Sequence, residues 1–167
     1  MHESIVHASM LIRRPPGEVF AAFVNPQILR KFWLRDASGP LAPGARVEWH
    51  FMAAGTSAKV VVTSFESPRR IGFTWDGETQ VELTFEPFPD GATRLAAAIN
   101  GLDPKEWVVQ ATNVVEGFTI VFCDLKTLLE RGESANLVRD KAALTESGRP
   151  LESAVAEARG RLLRSVT

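Results

Sequence analysis

The 167-residue sequence has one cysteine, Cys123, no tyrosine and a formal net charge of only −1. A single cysteine excludes an intrachain disulfide and fits a reducing compartment, so we expect a cytoplasmic protein. The balanced charge gives no general attraction to nucleic acid or anionic lipid, and we expect neither as a partner. No apolar run reaches the roughly 20 residues that span a bilayer, and the N-terminus lacks the pattern of a signal peptide.

Motifs for metal binding and catalysis are also scarce. The histidines His2, His7 and His50 and the thiol of Cys123 share no ligand spacing, so we predict no metal site. The sequence contains no glycine-rich phosphate loop, and we predict no cofactor. Cys123 follows the apolar Phe122 in a helical pattern, where a small packing residue is more typical than a nucleophile.

The sequence does contain one long amphipathic segment, residues 104–132. Apolar residues recur there at spacings of three and four, which predicts a helix whose apolar stripe is broad enough to cover a sheet. We expect Asp103 to cap this helix, Pro104 to lie in its first turn and Gly132 to end it. The stripe consists of Val108, Ala111, Val115, Phe118, Phe122, Leu125 and Leu129, with a second row of Trp107, Val114, Val121 and Leu128.

The segments before this helix predict a first strand, two short helices and then a meander. Residues 4–13 favour a strand, and residues 17–24 and 27–33 favour short helices. Residues 36–44 predict a loop. From residue 47 to residue 99, apolar and polar positions alternate in five short strands that are separated by turn signals such as Asp-Gly.

These elements predict an α+β fold in which a sheet grips a helix. The strands form a curved antiparallel sheet with one apolar face, and this face wraps around the long C-terminal α-helix. Two short helices follow strand 1. We assign residues 1–140 to this domain and residues 141–167 to a C-terminal helical extension, with a hinge at residues 147–150.

Five segments carry a family resemblance, among them PPGEVFAAFVNPQILRKFW, LAPGARVEWHF and VELTFEPFPDGATRL. They lie at residues 15–33, 41–51, 67–75, 81–95 and 117–132, and together they cover most of residues 5–140. In this order they resemble the START-like, or Bet v 1-like (SRPBCC), superfamily and, within it, the activator of Hsp90 ATPase homologue 1-like family. The resemblance implies a cavity between sheet and long helix that holds a small hydrophobic or amphipathic molecule. The Hsp90-activating role belongs to eukaryotic relatives, and no residue here indicates it.

The ligand-binding candidates are mainly aromatic residues whose pattern places them between the sheet and the long helix. For any single member, the alternative is an ordinary packed core position. Hydroxyls at the edge of the helix stripe (Thr112 and Thr119) could contact a ligand, although such groups more often bond the carbonyl one turn back. The predicted ligand-binding residues are Trp33, Trp49, Phe51, Phe73, Trp75, Val115, Phe118, Thr119 and Phe122.

His50 is the one weak catalytic candidate, and its role depends on the register of its strand. If Trp49 and Phe51 face the cavity, alternation turns His50 to solvent. In the opposite register, His50 and Glu48 enter the cavity and could form an acid–base dyad. The first register is favoured because a buried Glu48 would be costly without a partner.

Three functions remain open at this point. We prefer a carrier or sensor of a small hydrophobic molecule; the alternatives are a cyclase- or hydrolase-type enzyme and a protein-interaction or co-chaperone-like domain. A homodimer could form through the C-terminal extension or the outer face of the long helix, where Val109 and Ile120 lie on one line. The two short helices carry only Arg30, Lys31 and Arg35 as basic residues nearby, which does not favour DNA binding.

Overall fold

The computed structural model describes residues 4–146. The predicted hinge and the rest of the C-terminal extension, residues 147–167, therefore lie outside the described residues. The strands are β1 (Val6–Ile12), β2 (Leu34–Ala37), β3 (Arg46–Phe51), β4 (Ser57–Glu66), β5 (Arg70–Trp75), β6 (Thr79–Phe88) and β7 (Ala92–Asn100). The α-helices are α1 (Pro16–Val24), α2 (Pro26–Phe32), α3 (Trp107–Arg131) and α4 (Leu137–Glu146).

The strands form one curved sheet in the order β1-β7-β6-β5-β4-β3-β2. Every neighbouring pair is antiparallel, so β2 to β7 make a meander and β1 joins it beside β7. The turn between β5 and β6 has Asp76 and Gly77 at φ of 52° and 80°, the left-handed conformation that an Asp-Gly hairpin favours. The predicted α+β helix-grip fold is confirmed.

Helix α3 lies against the concave face of the sheet. Its buried residues are Ala111, Phe118, Val121, Phe122, Asp124 and Leu125. By length and composition alone α3 could cross a membrane, but the apolar core helix of a soluble domain meets the same criterion. Gly132 ends the helix at φ 88° as predicted, and its N–H donates to the carbonyl of Leu128.

The start of α3 differs from the prediction. The helix begins at Trp107, and Glu106 occupies the capping position without a side-chain hydrogen bond. The carboxylate of Asp103 instead accepts a hydrogen bond of 2.9 Å from the N–H of Lys105, which closes a local turn before the helix. Pro104 therefore lies in this turn and not in the helix.

A seventh strand, β2, was not expected from the sequence, which predicted a loop from residue 36. The strand pairs with β3 and buries only its end residues, Leu34 and Ala37. Four residues with two buried positions are too few to show the period-two alternation on which strand prediction depends. The guanidinium of Arg30 on α2 also binds Asp36, which fixes the strand to the preceding helix.

The two short helices predicted after strand 1 are present as α1 and α2, and they close one end of the sheet. Pro16 occupies the first turn of α1, and the side chain of Asn25 accepts a hydrogen bond from the N–H of Gln27 at the start of α2. Phe20 packs edge-on against Phe85 of β6 with ring centroids 5.1 Å apart. These aromatic contacts close this end of the space between the sheet and α3.

Helix α4 runs back along α3 and is fastened at its start by Asp124, which is only 1% exposed. The Asp124 carboxylate accepts hydrogen bonds from the hydroxyls of Ser134 and Thr127 and from the N–H of Ala135. Further along, Lys141 forms an ion pair with Glu116 of α3. The helix continues through residue 140, so no structural break marks the boundary that we assigned there.

We predict that Asp124→Ala releases α4 from α3. The change leaves three donors without their charged acceptor, and we expect a loss of at least about 3 kcal/mol in the free energy of unfolding. Bonds to a charged group each contribute about 1.5–3 kcal/mol, and Thr127 and Ala135 keep second hydrogen bonds that reduce the total. Urea unfolding measures this loss, and amide hydrogen exchange should show that residues 137–146 lose protection. Asp140→Asn, on the exposed side of α4, is the control. Unchanged exchange in α4 would contradict this role of Asp124.

Candidate ligand cavity

A cavity of about 970 Å³ lies between α3, α4 and the concave face of the sheet. Its size is within the range of about 300–1,000 Å³ that is typical of small-molecule sites. The sheet side is formed by Trp33, Phe51, Met52, Ala53, Trp75, Glu78, Thr79, Val81, Ile99, Gly101, Leu102, Asp103 and Pro104. The helical side is formed by Gln110, Asn113, Val114, Gly117, Phe118, Ile120, Val121, Val138, Lys141, Ala142 and Thr145.

Four predicted aromatic residues, Trp33, Phe51, Trp75 and Phe118, line this cavity. Phe51 and Trp75 stack with an interplanar angle of 6° and centroids 5.1 Å apart. The ring of Trp33 contacts Phe118 of α3 edge-on at 5.7 Å. Strand alternation brings Phe51 and Trp75 to the same concave face, and α3 adds Phe118 from the opposite side. The cavity therefore has an aromatic wall.

Three other predicted ligand residues lie behind this wall. Trp49, Phe73 and Phe122 are at most 1% exposed and do not line the cavity. Trp49 contacts both Trp33 and Phe73 edge-on, at 4.9 Å and 5.2 Å. The structure therefore places these three predicted residues behind the aromatic wall, which they support, and not on the cavity surface.

The remaining predicted ligand residues, Val115 and Thr119, lie on the other flank of α3. They line a shallow groove that also includes Ile5, Trp107 and Val108. Consecutive helical residues differ by about 100°, so Val114 faces the cavity while Val115 turns away from it. The buried face of α3 is rotated from the first predicted apolar row toward the second row, which contains Val114 and Val121. As a result, Val108 of the first row is 71% exposed. The prediction that Val115 and Thr119 contribute to the cavity therefore does not agree with the structure.

His50 and Glu48 lie on the outer face of the sheet, where the His50 Nε2 atom is 3.2 Å from Glu48 Oε1. Trp49 between them is fully buried, so β3 adopts the favoured register and the alternative dyad inside the cavity is not formed. Asp36 pairs across from His50 on β2. A hydrogen bond from the Arg30 guanidinium is the main reason that the pKa of Asp36 lies below its usual value.

The charged groups of the cavity are few. Glu78 and Asp103 contribute carboxylates, and Lys141 is paired with Glu116. No histidine or cysteine is among the described residues of the wall. In residues 4–146, no group of three His, Cys, Asp or Glu side chains is placed to hold a metal ion. The wall therefore offers apolar contacts and hydrogen bonds, and it lacks a paired nucleophile and base.

The sequence did not predict that α4 forms part of the cavity wall. Val138, Lys141, Ala142 and Thr145 face the cavity at spacings of three, one and three, which is one side of a helix. This signal is present in the sequence, but the segment is polar and rich in alanine, so its inner side is not distinguished by hydrophobicity. The loop at residues 101–104 carries no comparable pattern.

Comparison with known proteins agrees with this architecture. Residues 13–130 match the model of the family described as activator of Hsp90 ATPase homolog 1-like protein. Protein SSP2350 from Staphylococcus saprophyticus has a similar structure, with a TM-score of 0.71 and 24% identity over 78% of this chain and 95% of that chain. No curated protein sequence matches the chain.

Two further solved structures share the fold. The Aha1 dimer from Colwellia psychrerythraea has a TM-score of 0.67 at 16% identity, over 78% of this chain and 99% of that chain. DynU16, a protein in the dynemicin biosynthetic locus, has a TM-score of 0.66 at 20% identity, over 80% of this chain and 49% of that chain. At these identities the similarity shows a common fold and does not extend to function.

We predict that the stacked pair in the aromatic wall is energetically coupled. Phe51→Ala, Trp75→Ala and the double variant form a double-mutant cycle, in which a stacked pair contributes about 0.5–1.5 kcal/mol. Urea unfolding of the four proteins measures the coupling. A second cycle between Trp75 and the exposed Phe88 is the control and should give about zero, because distant sites are additive. Equal coupling in both cycles would contradict the stacked arrangement.

Proposed function

The chain belongs to the activator of Hsp90 ATPase homologue 1-like family, and we propose that it binds a small hydrophobic or amphipathic molecule in the cavity between the sheet and α3. The observation that supports this proposal is the aromatic wall formed by Trp33, Phe51, Trp75 and Phe118 on an accessible cavity of about 970 Å³. Protein interiors are close-packed, with few voids larger than a water molecule. A space of this size is therefore not an ordinary packing defect.

The free energy of binding would come mainly from the apolar wall. Apolar surface that faces water is unfavourable by about 25 cal/mol per Å², and a ligand that covers the aromatic rings recovers part of this free energy. The rings are already held by contacts such as the stacking of Phe51 on Trp75 and the support of Trp49 behind Trp33. A preformed wall loses little conformational entropy when a ligand binds.

The same wall supports binding more strongly than catalysis. A cyclase or hydrolase would need an acid, a base or a nucleophile aimed at the substrate. The ionisable residues of the wall are Glu78, Asp103 and Lys141, and Lys141 is paired with Glu116. The earlier candidate His50 faces the opposite side of the sheet, beside Glu48. The geometry thus favours a carrier or sensor over an enzyme.

We predict that Val114→Phe lowers the affinity for an apolar probe by about tenfold or more, because the ring would occupy the cavity beside Phe118. Val115→Phe is the matched control: it adds the same ring one residue later, on the other flank of α3, and should leave the affinity unchanged. Fluorescence titration with N-phenylnaphthylamine measures both. Equal effects of the two variants, or no binding to the wild-type protein, would refute the cavity as the binding site.

We also propose that the groove on the other flank of α3 mediates homodimer formation. Val108, Ile5 and Val115 are 71%, 49% and 37% exposed and form one apolar patch beside the edge strand β1. Contiguous apolar patches on a protein surface commonly mark interfaces. The Aha1 protein from Colwellia psychrerythraea, which shares the fold, was solved as a dimer. Of the two residues that the sequence suggested for a dimer contact, Ile120 lines this groove and Val109 does not.

Val108→Asp should convert the dimer to a monomer, because it places a charge in the centre of the apolar patch. Light scattering after size exclusion measures the mass, with 18.3 kDa expected for one chain. Val109→Asp is the control, since Val109 is exposed outside this groove and should leave the dimer intact. A mass of one chain for the wild-type protein at all concentrations would refute this interface.

A further inference from the structure

We infer that one stretch of α3, the face formed by Asn113 and Gly117, is the point at which the cavity recognises the polar end of its ligand. The structure assigns the ligand to a chemical class: a neutral ring compound that carries a carbonyl oxygen. This inference rests on the proposed function, because it concerns the same cavity. Beyond that function, it specifies the polar group of the ligand, the residue of the protein that binds this group, and the sign of ligand charge that the site excludes.

Gly117 is the first reason for choosing this face. It lies inside α3, where glycine is less favourable than alanine by about 1 kcal/mol. No packing contact with the described part of the chain requires it, since a Cβ atom built at Gly117 would meet no atom of residues 4–146 within 4 Å. By contrast, a Cβ atom at Gly72 would lie 2.4 Å from the hydroxyl oxygen of Ser64. The absence of a side chain at Gly117 instead leaves open space on the cavity wall.

Asn113, one helical turn before Gly117, supplies the polar group. Its side chain lines the cavity, and within residues 4–146 it makes no hydrogen bond. Its neighbour Gln110 differs, because the Gln110 Oε1 atom accepts a bond of 3.0 Å from the N–H of Asp103. The carboxamide of Asn113 therefore keeps its two N–H donors available for a ligand.

The bare backbone at Gly117 and the carboxamide at Asn113 complement each other. They lie four residues apart on one face of α3, next to Phe118 of the aromatic wall. A ring that packs against Phe118 can approach the helix closely at Gly117, because no side chain intervenes there. Its carbonyl group then lies within reach of the Asn113 donors.

The charges around the cavity determine which carbonyl compounds fit. Glu78 and Asp103 place two carboxylates on the wall, while the ammonium group of Lys141 is engaged with Glu116. Among residues 4–146, no unpaired cation lines the cavity to offset these charges, so a ligand carboxylate would meet like charges, and such pairings are unfavourable. A ketone, ester or amide accepts the same hydrogen bond without that repulsion.

The test uses three fluorescent naphthalene probes of similar size. Prodan is neutral and carries a ketone, N-phenylnaphthylamine has no carbonyl, and anilinonaphthalene sulfonate is an anion. We expect Asn113→Leu to weaken Prodan about fivefold, the size of one neutral hydrogen bond, and to shift its bound emission to shorter wavelength. N-phenylnaphthylamine should keep its affinity for this variant, and the sulfonate should bind the wild-type protein more weakly than Prodan. Thr112→Leu, on the other flank of α3, is the matched control.

Gly117 is tested by two further variants. Gly117→Ala should raise Tm by about 3 °C, because alanine favours the helix and meets no obstacle. Gly117→Leu should also remain folded while it weakens both neutral probes about tenfold. A lower Tm for Gly117→Ala would overturn the argument, as would an unchanged affinity of Asn113→Leu for Prodan. If no neutral probe binds the wild-type protein, the proposed function itself fails; if N-phenylnaphthylamine binds and only the Prodan effect is missing, this inference alone fails.

Discussion

The burial of one apolar face of α3 against the concave face of the sheet is the contact on which the rest of the structure depends. It covers the inner side chains of the strands, and it positions Phe118 next to Trp75 of β5 and Phe122 next to Phe23 of α1. One helix cannot fill the width of a curved sheet of seven strands. Since α3 packs mainly beside β1, the unfilled space lies on its opposite flank.

Helix α4 converts this unfilled space into a cavity with a second helical wall. The buried carboxylate of Asp124 fixes the turn before α4, and the ion pair between Lys141 and Glu116 holds its middle. Asp124 and Glu116 both lie on α3. This helix therefore positions its own apolar stripe against the sheet and also positions α4, which covers the cavity. The chemistry of the cavity therefore depends on how α3 is rotated about its own axis.

Most of the fold could be predicted because apolar residues recur in the sequence at clear helical and strand spacings. Alternation identified β3–β7, β-favouring residues identified β1, and the Asp-Gly pair marked a hairpin that has the expected positive φ values. The rotation of α3 was harder to predict, because the row through Val108 and Val115 and the row through Trp107 and Val114 are both apolar. A difference of one residue turns a side chain by about 100°, which moved Val115 and Thr119 away from the cavity. The rotation of α3 has less effect on the four aromatic residues of the wall, because strand alternation or central burial determines their positions. These residues are Trp33, Phe51, Trp75 and Phe118.

The cavity flank of α3 shows how a stable fold can carry residues that reduce its local stability. Asn113 and Gly117 are poorer helix formers than alanine, and within residues 4–146 the Asn113 side chain makes no hydrogen bond that offsets this cost. The helix tolerates them because its buried stripe and its Gly132 terminus determine its stability. Local violations of helix propensity that have no packing reason are expected at functional positions. A change at these two positions would therefore alter the cavity wall and leave the buried stripe, and with it the fold, in place.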